Sequence, residues 1–409
     1  MSSAYFLPSI VAAAILALAA CGMVATKARR RGLDRWIFTY IRERSKYHAP
    51  RAGQPVHLLL CIADHFEPGN GKVTPDVARQ RLQRWVEDYP RLCQGFRDSD
   101  GRSPRHTFFY PIDMYVPEEV EALGELCRLG LGEVEIHLHH DGDTSENLRQ
   151  TLLTFKDLLA RRHGLLARHR ETGALAYGFV HGNWALDNSS PDGRWCGVNN
   201  EIEILRETGC YADFTLPSAP SPTQTRKINS IYYAIDVPHQ AKSHDWGTDV
   251  GKGPCAGLMM IQGPLILNWR RRKWGIIPRI ENGCLQGNQS PNIERVDDWL
   301  KARVQVPTRP DWYFVKLHTH GAPETNQRVL LGKPMVDFHL ALARRAKEDP
   351  SFRFHYVTAR EMYNLVRAAE AGWQGTVALA RDYELVGNTP EPLSFNRDPG
   401  RIQEVQTGI

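Results

Sequence analysis

The stretch Leu58-Leu59-Leu60-Cys61-Ile62-Ala63-Asp64-His65 decides the fold. Six apolar residues in a row, too short for a typical helix and right for a buried strand, stop abruptly at a carboxylate and an imidazole. The pattern returns at Val134-Glu135-Ile136, which runs into His137-Leu138-His139-His140-Asp141-Gly142-Asp143. Buried strands with Asp and His at their C-terminal tips place metal-ligand chemistry where α/β folds build their sites.

Outward from these strands, the chain alternates. A helix starts at Thr74-Pro75-Asp76 and runs toward Cys93, Thr107–Tyr110 reads as a strand, and Pro117–Leu129 as a helix. A long amphipathic helix is expected from near Thr144 to about Arg170, followed by a strand at Leu175–Val180 and a helix at Glu201–Thr208. Strands at Tyr211–Phe214, Ile231–Ile235, Leu258–Gln262 and Tyr313–His318 come next. A helix at Asp337–Lys347, a strand at Phe352–Val357 and a helix at Thr358–Ala369 close the pattern. Such alternation predicts an α/β fold, a parallel (β/α) barrel. The Gly/Pro/Asn-rich stretches 218–255 and 279–292 are too long for mere connections and are expected to wall a cleft.

Four segments follow from this reading: 1–26, an apolar N-terminal anchor; 27–55, a basic juxtamembrane segment and linker; 56–382, the barrel domain; and 383–409, a polar tail. Phe6–Ala25 carries no charge and matches the roughly 20 residues that span a bilayer core. Met1–Tyr5 lacks the positive start of a cleaved signal. The expectation is therefore a single-pass membrane protein. Lys and Arg follow the span and none precedes it, which places the catalytic domain in the cytoplasm. Leu18-Ala19-Ala20-Cys21 looks like a lipobox and keeps an exported lipoprotein as the alternative.

The charge balance supports the same picture. Nine Lys/Arg between Lys27 and Arg51 face only Asp34 and Glu43, so the whole +5 of the chain originates there and the remainder is slightly acidic. That distribution argues against a nucleic-acid partner and for membrane contact through the N-terminal helix and the basic segment. Leu33, Trp36, Ile37, Tyr40 and Ile41 recur at helical spacing, as in a helix lying on headgroups. Seven cysteines after the first helix, with no Cys-x-x-Cys pair, indicate reduced buried thiols rather than a disulfide framework.

Among the histidines, His137 and His139 share one face of their strand while Val134, Ile136 and Leu138 share the other. Phe179-Val180-His181-Gly182-Asn183-Trp184 and Val315-Lys316-Leu317-His318-Thr319-His320-Gly321 are two more strand ends bearing imidazoles. Trp269-Arg270-Arg271-Arg272-Lys273-Trp274 offers either a phosphate or membrane contact or an exposed basic loop. Gly247-Thr248-Asp249-Val250-Gly251-Lys252 falls one residue short of a phosphate loop, and there is no Gly-x-Ser-x-Gly elbow or His-Glu-x-x-His helix.

The order of these motifs resembles the polysaccharide deacetylase superfamily, which includes chitin and peptidoglycan deacetylases. Ile62-Ala63-Asp64-His65 stands where that family has Thr-Phe-Asp-Asp. Glu135 to Asp143 stands at its Glu-Ile-Gly-x-His-x-x-x-His, and Val315–Gly321 at its Leu-x-His strand. Phe354–Glu361 is similar to its final Phe-Val-Thr-x-x-Glu segment.

The resemblance implies a metal-dependent hydrolase that removes an N-acyl group, N-acetyl above all, from a carbohydrate or lipid-linked sugar in glycan metabolism. It implies a divalent metal, zinc first, on His65, His139 and Asp143, with Glu67, His137 and Asp64 as further ligand candidates. Asp64 is then the base and His318 the acid, while His181, Trp184 and His320 contact substrate. The family's groove Arg is absent beside His181. Two alternatives remain open, a catalytically degenerate glycan-binding protein and a related barrel glycoside hydrolase that uses Asp64 and Asp143.

Overall fold

β1 (Val56–His65) is the centre of the sheet. In the computed structural model, which describes residues 18–19, 22–23, 25–43, 53–253 and 256–387, it pairs in parallel with β12 (Trp312–Thr319) from His57 to Asp64. Its other edge is shared. β13 (Phe352–Tyr356) takes Val56–Leu60 and β2 (His106–Pro111) takes Ala63–His65. Beyond β2 the parallel run continues through β3 (Gly132–Leu138), β5 (Leu175–His181), β6 (Cys210–Asp213) and β9 (Leu258–Ile261). β7 (Ile231–Ala234) and β8 (Thr248–Asp249) finish the edge antiparallel.

The sheet curls. Lys316 Nζ on β12 donates to the Phe214 carbonyl just past β6 at 2.7 Å, although four strands separate β12 from β6 along the sheet. On the other edge of β12, residues 283–285 pair with it, Leu285 N–H to His318 O at 2.8 Å and His318 N–H to Gly283 O at 3.1 Å. Alternate residues of β1 accordingly serve two separate cores. Leu59, Cys61 and Ala63 join one with Phe109, Val180 and Phe214, while Leu58, Leu60 and Ile62 join the other with the covering helices.

Those helices begin where capping residues dictate. In α2 (Pro75–Gln94) Thr74 Oγ1 accepts from Val77 N–H and Pro75 opens the first turn. α3 (Pro117–Arg128) also opens on a proline. In α4 (Ser145–Arg161) Thr144 accepts from Asn147 N–H at 3.2 Å. This helix stops well before the expected Arg170, because Gly164 and Leu166 turn left-handed (φ 65 and 70) and send the chain into β4 (Ala167–His169). α5 (Glu201–Glu207) follows β5. In the stretch 279–292 and its neighbours, sequence periodicity overlooked the hairpin β10 (Ile266–Lys273) with β11 (Ile277–Glu281), and α6 (Ile293–Ala302) after it. The Trp269–Trp274 run is thus one arm of that hairpin and its turn, with both indoles more than half exposed. The domain also continues past residue 382. β14 (Leu385–Gly387) pairs with β4, and Leu385 is fully buried.

The expected membrane location is corrected. Among the described residues no helix is long and apolar enough to cross a membrane. Most of the expected span, residues 1–17 with 20, 21 and 24, lies outside the described residues. The helix expected on headgroups, α1 (Leu33–Glu43), instead docks on its own domain. Trp36 is fully buried among Ala219, Ile228 and Leu265, with Leu33, Ile37 and Tyr40 beside it, and of the apolar residues of the helix only Phe38 and Ile41 are exposed. An apolar stripe at helical spacing reports that something covers it, not whether the cover is lipid or protein.

Candidate functional site

In the curled sheet β12, β1, β2, β3 and β5 follow one another, and the polar C-terminal tips of β1, β3, β5 and β12 lie along the same end. Glu67, two residues past the end of β1, is the hub. Its turn is held by Phe66 N–H to Phe109 O at 3.0 Å, by Asn70 N–H to Glu67 O at 3.0 Å, and by Arg81 of α2. Arg81 Nη1 donates to the Pro68 and Asn70 carbonyls. Asn70 Nδ2 caps Glu67 Oε2, leaving Oε1 to face two imidazoles.

His137 Nε2 lies 3.0 Å and His139 Nε2 3.4 Å from Glu67 Oε1. Both rings have their other nitrogen committed. His137 Nδ1 is 2.8 Å from the Val180 carbonyl, an acceptor only, so Nδ1 carries the hydrogen and Nε2 is a bare lone pair. His139 Nδ1 sits 3.2 Å from both Asp113 oxygens, and donation there points its Nε2 lone pair at Glu67 as well. Burial would raise the Glu67 carboxyl, but the two imidazoles beside it, with His139 donating in its protonated form, outweigh burial and hold Glu67 far below the usual carboxylate range. Burial likewise opposes charge on His139, yet its hydrogen bonds to Asp113 and Glu67 push it up to about 9.

Two imidazole lone pairs aimed at one carboxylate oxygen repel it unless a cation lies between them. In the ion-free protein a proton on His139 does this; a divalent metal fits the same donors, and backbone and carboxylate partners orient the rings as metal-bound histidines usually require. Glu67, His137 and His139 bring one ligand atom each within 4.8 Å of one another, and so do His65, Glu67 and His320. The His65 ring stacks on His320 at 4.8 Å and meets His137 edge-on at 4.7 Å. Burial, reinforced by the neighbouring imidazoles, keeps His65 neutral, and burial likewise lowers His320.

Of the residues expected from sequence, His65, His139, His320 and Trp184 meet here. Trp184 lies 5.9 Å from both His65 and His320. Its backbone is left-handed (φ 55), as are Asn183, Asp187 and Asn188, an unusual density of this conformation outside glycine. Gly182 precedes them because nothing larger fits. A Cβ there would lie 2.3 Å from His139 Cδ2. His318 is buried on the same side of β12 as His320, with Nδ1 unpartnered, and burial holds it neutral.

Three expected residues sit elsewhere. Asp64 is on the opposite face of β1, its oxygens taken by His106 Nε2 at 2.8 Å and Gly321 N–H at 2.6 Å. Asp143 is turned to His140 Nδ1 at 3.0 Å rather than to His139. His181 is fully buried, and its Nε2 faces His140 Nε2 at 2.9 Å. The ligand set His65, His139 and Asp143 is therefore not assembled; Glu67 and His137 stand in its place. The signal for Glu67 was its spacing, two residues after His65 and so on the same side of an extended chain.

No family model matches this chain, and no curated protein matches it. Among solved structures it is similar to a 4-alpha-glucanotransferase from Thermococcus litoralis, at 12% identity over 76% of this chain and 40% of that one, with a TM-score of 0.39. The chain thus spans about two fifths of that structure's length, and so slight a likeness carries no argument about fold or function.

Proposed function

We propose that the protein is a metal-dependent hydrolase of the deacetylase-type (β/α) barrel class that removes an N-acyl group, chiefly N-acetyl, from a carbohydrate. The observation that carries this reading is the convergence of the His137 and His139 lone pairs on the Glu67 carboxylate, with His65 and His320 alongside. Glu67, His137 and His139 would hold the ion, zinc being the ion this nitrogen and oxygen donor set suits first. When bound, a divalent ion supplies Lewis acidity toward a carbonyl and a nucleophile from water at neutral pH.

The chain's own residues supply the rest. His320, half-buried and neutral, is a solvent-reachable imidazole beside Glu67 that the ion would not claim, suited to take a proton from the nucleophile or give one to the leaving nitrogen. His318 stands behind it on β12, and Trp184 walls the site against a sugar face. Asp113 orients His139. Asp64 and Asp143 are held in other hydrogen bonds, which removes support for a glycosidase pair and for Asp64 as base.

A cleft of about 850 Å³ borders the loop of Asp141, whose Oδ1 accepts from Trp195 N–H at 2.6 Å. Arg29, Arg30, Arg35, Arg194 and Arg226 line it, outnumbering Asp34 and Asp192, of which Asp192 pairs with Arg194 at 2.8 Å. Guanidinium groups at that density favour a substrate carrying phosphate, as nucleotide-linked and lipid-linked sugars do. The test is acetate release by the zinc-loaded full chain from N-acetylhexosamines presented free, nucleotide-linked and lipid-linked. Release abolished by Glu67→Gln and slowed by His320→Ala is expected. No release from any of the three classes by metal-loaded protein overturns the proposal.

A further inference from the structure

His139 and His140 are neighbours that turn to opposite sides, and the second of them meets a different set of groups. His140 Nε2 lies 2.9 Å from His181 Nε2 and 3.3 Å from Glu201 Oε1. Cys196 Sγ lies 3.4 Å from Glu201 Oε2. These four side chains each offer one donor atom within 4.8 Å of the others, and His181 and Glu201 are fully enclosed.

The hydrogen bonds around the cluster fix what its inward atoms are. His140 Nδ1 donates to Asp143 Oδ2, whose other oxygen accepts from Thr144 N–H and Asn147 Nδ2, each at 2.7 Å. His181 Nδ1 donates to the Gly182 carbonyl, an acceptor only. Both Nε2 atoms are therefore bare lone pairs pointing at each other across 2.9 Å, which no neutral arrangement tolerates. Glu201 Oε1, buried beside them, has no hydrogen-bond partner, while Oε2 accepts from Asp187 N–H at 2.6 Å. A buried carboxylate oxygen left bare next to two facing imidazole lone pairs marks the place of a cation.

The sulfur completes a specific donor set. Cys196 Sγ accepts from Asn188 N–H at 3.3 Å and from Val198 N–H at 3.4 Å; burial and the Glu201 carboxylate nevertheless raise the thiol well above its ordinary value, so it becomes a thiolate only with a cation beside it. We propose that His140, His181, Cys196 and Glu201 form a second metal site, closed and structural, that takes a zinc-class ion. Two imidazoles, a thiolate and a carboxylate give four-coordination with no open position and cancel the charge of a divalent ion. Zinc–nitrogen bonds of about 2.0–2.1 Å in tetrahedral geometry need the two Nε2 atoms roughly 3.3 Å apart, so the pair opens by roughly half an ångström on binding. As the ion enters, the proton held between His140 and His181 and the thiol proton of Cys196 both leave to solvent, and the nitrogen–metal and sulfur–metal bonds form; no oxidation occurs. The site would tie the loop after β3, the end of β5, the 188–200 loop and α5 together, fixing the chain directly beside His139.

The test uses the purified full chain. Metal content after chelator-free purification with zinc is expected at two ions per chain in the wild type and one in either Glu67→Gln or Cys196→Ser. Reloading with cobalt(II) is expected to give the near-ultraviolet thiolate-to-cobalt charge-transfer absorption in wild type and in Glu67→Gln, and to lose it in Cys196→Ser. The first centre contains no sulfur, so this band reports the second alone. Absence of the thiolate band from cobalt-loaded wild type, whatever the ion count, overturns the proposal and leaves a proton as the cation between His140 and His181, whereas one ion per chain with the band present overturns only the Glu67 centre. Should Cys196→Ser fail to fold, the wild type and Glu67→Gln decide the matter by themselves.

Discussion

Gly182→Ala tests the candidate centre through shape alone. The added Cβ would lie 2.3 Å from His139 Cδ2, 2.6 Å from its Cγ and 2.7 Å from the Leu138 carbonyl. Carbon atoms settle at about 3.5 Å or more, so the imidazole must retreat by at least about 1 Å. Metal–ligand distances tolerate only about 0.2 Å, and His139 Nε2 is one of the three clustered ligand atoms, with His137 and the Glu67 carboxylate. Its retreat removes a ligand. Displacing even a group that merely supports a ligand costs about 10–100-fold in affinity, so at least about 100-fold is expected here, equivalent to about 2.7 kcal/mol. The strain should also cost about 1–3 kcal/mol of fold stability, because a packed strand end is being overfilled. The assay is zinc titration against a competing chelator, with far-ultraviolet circular dichroism to confirm the fold. To keep the sulfur-containing cluster from contributing, both chains carry Cys196→Ser. Zinc affinity within threefold of the Gly182 parent in a folded Gly182→Ala protein would refute the placement of His139 in the centre.

Two further outcomes follow from the geometry. In the metal-free protein His139 is raised to about 9, so the proton it holds competes with the ion. Zinc affinity at this centre, in the Cys196→Ser background, should rise about tenfold per pH unit from pH 7 and level off near 9. The same shift stabilises the metal-free fold fully below the ordinary histidine value of 6.5, a contribution that fades as pH rises through about 9. Calorimetric titration at several pH values checks the first part, and a flat profile between pH 7 and 9 removes His139 from the ligand set. Trp36→Ala should cost about 3–5 kcal/mol in urea denaturation, since its fully buried indole fills the contact with Ala219, Ile228 and Leu265. A cost under 1 kcal/mol would mean that α1 is not part of the folded unit.

Local chemistry made much of this molecule legible in its sequence. The apolar run ending at Asp64-His65 became β1, and Pro75, Thr144 and Thr358 marked helix starts that the structure reproduces, the last as a full capping box with Glu361 in the helix Ala359–Glu370. Such signals depend on neighbours within one turn or one pleat. They fail where distant segments choose the outcome. β3 ends at Leu138, so strand alternation no longer governs His139 and His140. Asp113 draws the first to Glu67, while Asp143 and His181 draw the second the other way.

The alternating α/β pattern and the enrichment of strand tips in imidazoles and carboxylates are legible before any fold is known, because both are written in spacing along the chain. Which of those groups meet depends on how distant segments pack. Asp64 is claimed by His106 and by the Gly321 backbone across 257 residues of chain, and Glu67 is left as the hub. Likewise, α1 carries an apolar stripe that lipid or protein could cover, and residues 219–265 cover it. Ligation and burial are pairwise properties of groups remote in sequence, and the fold alone sets those distances.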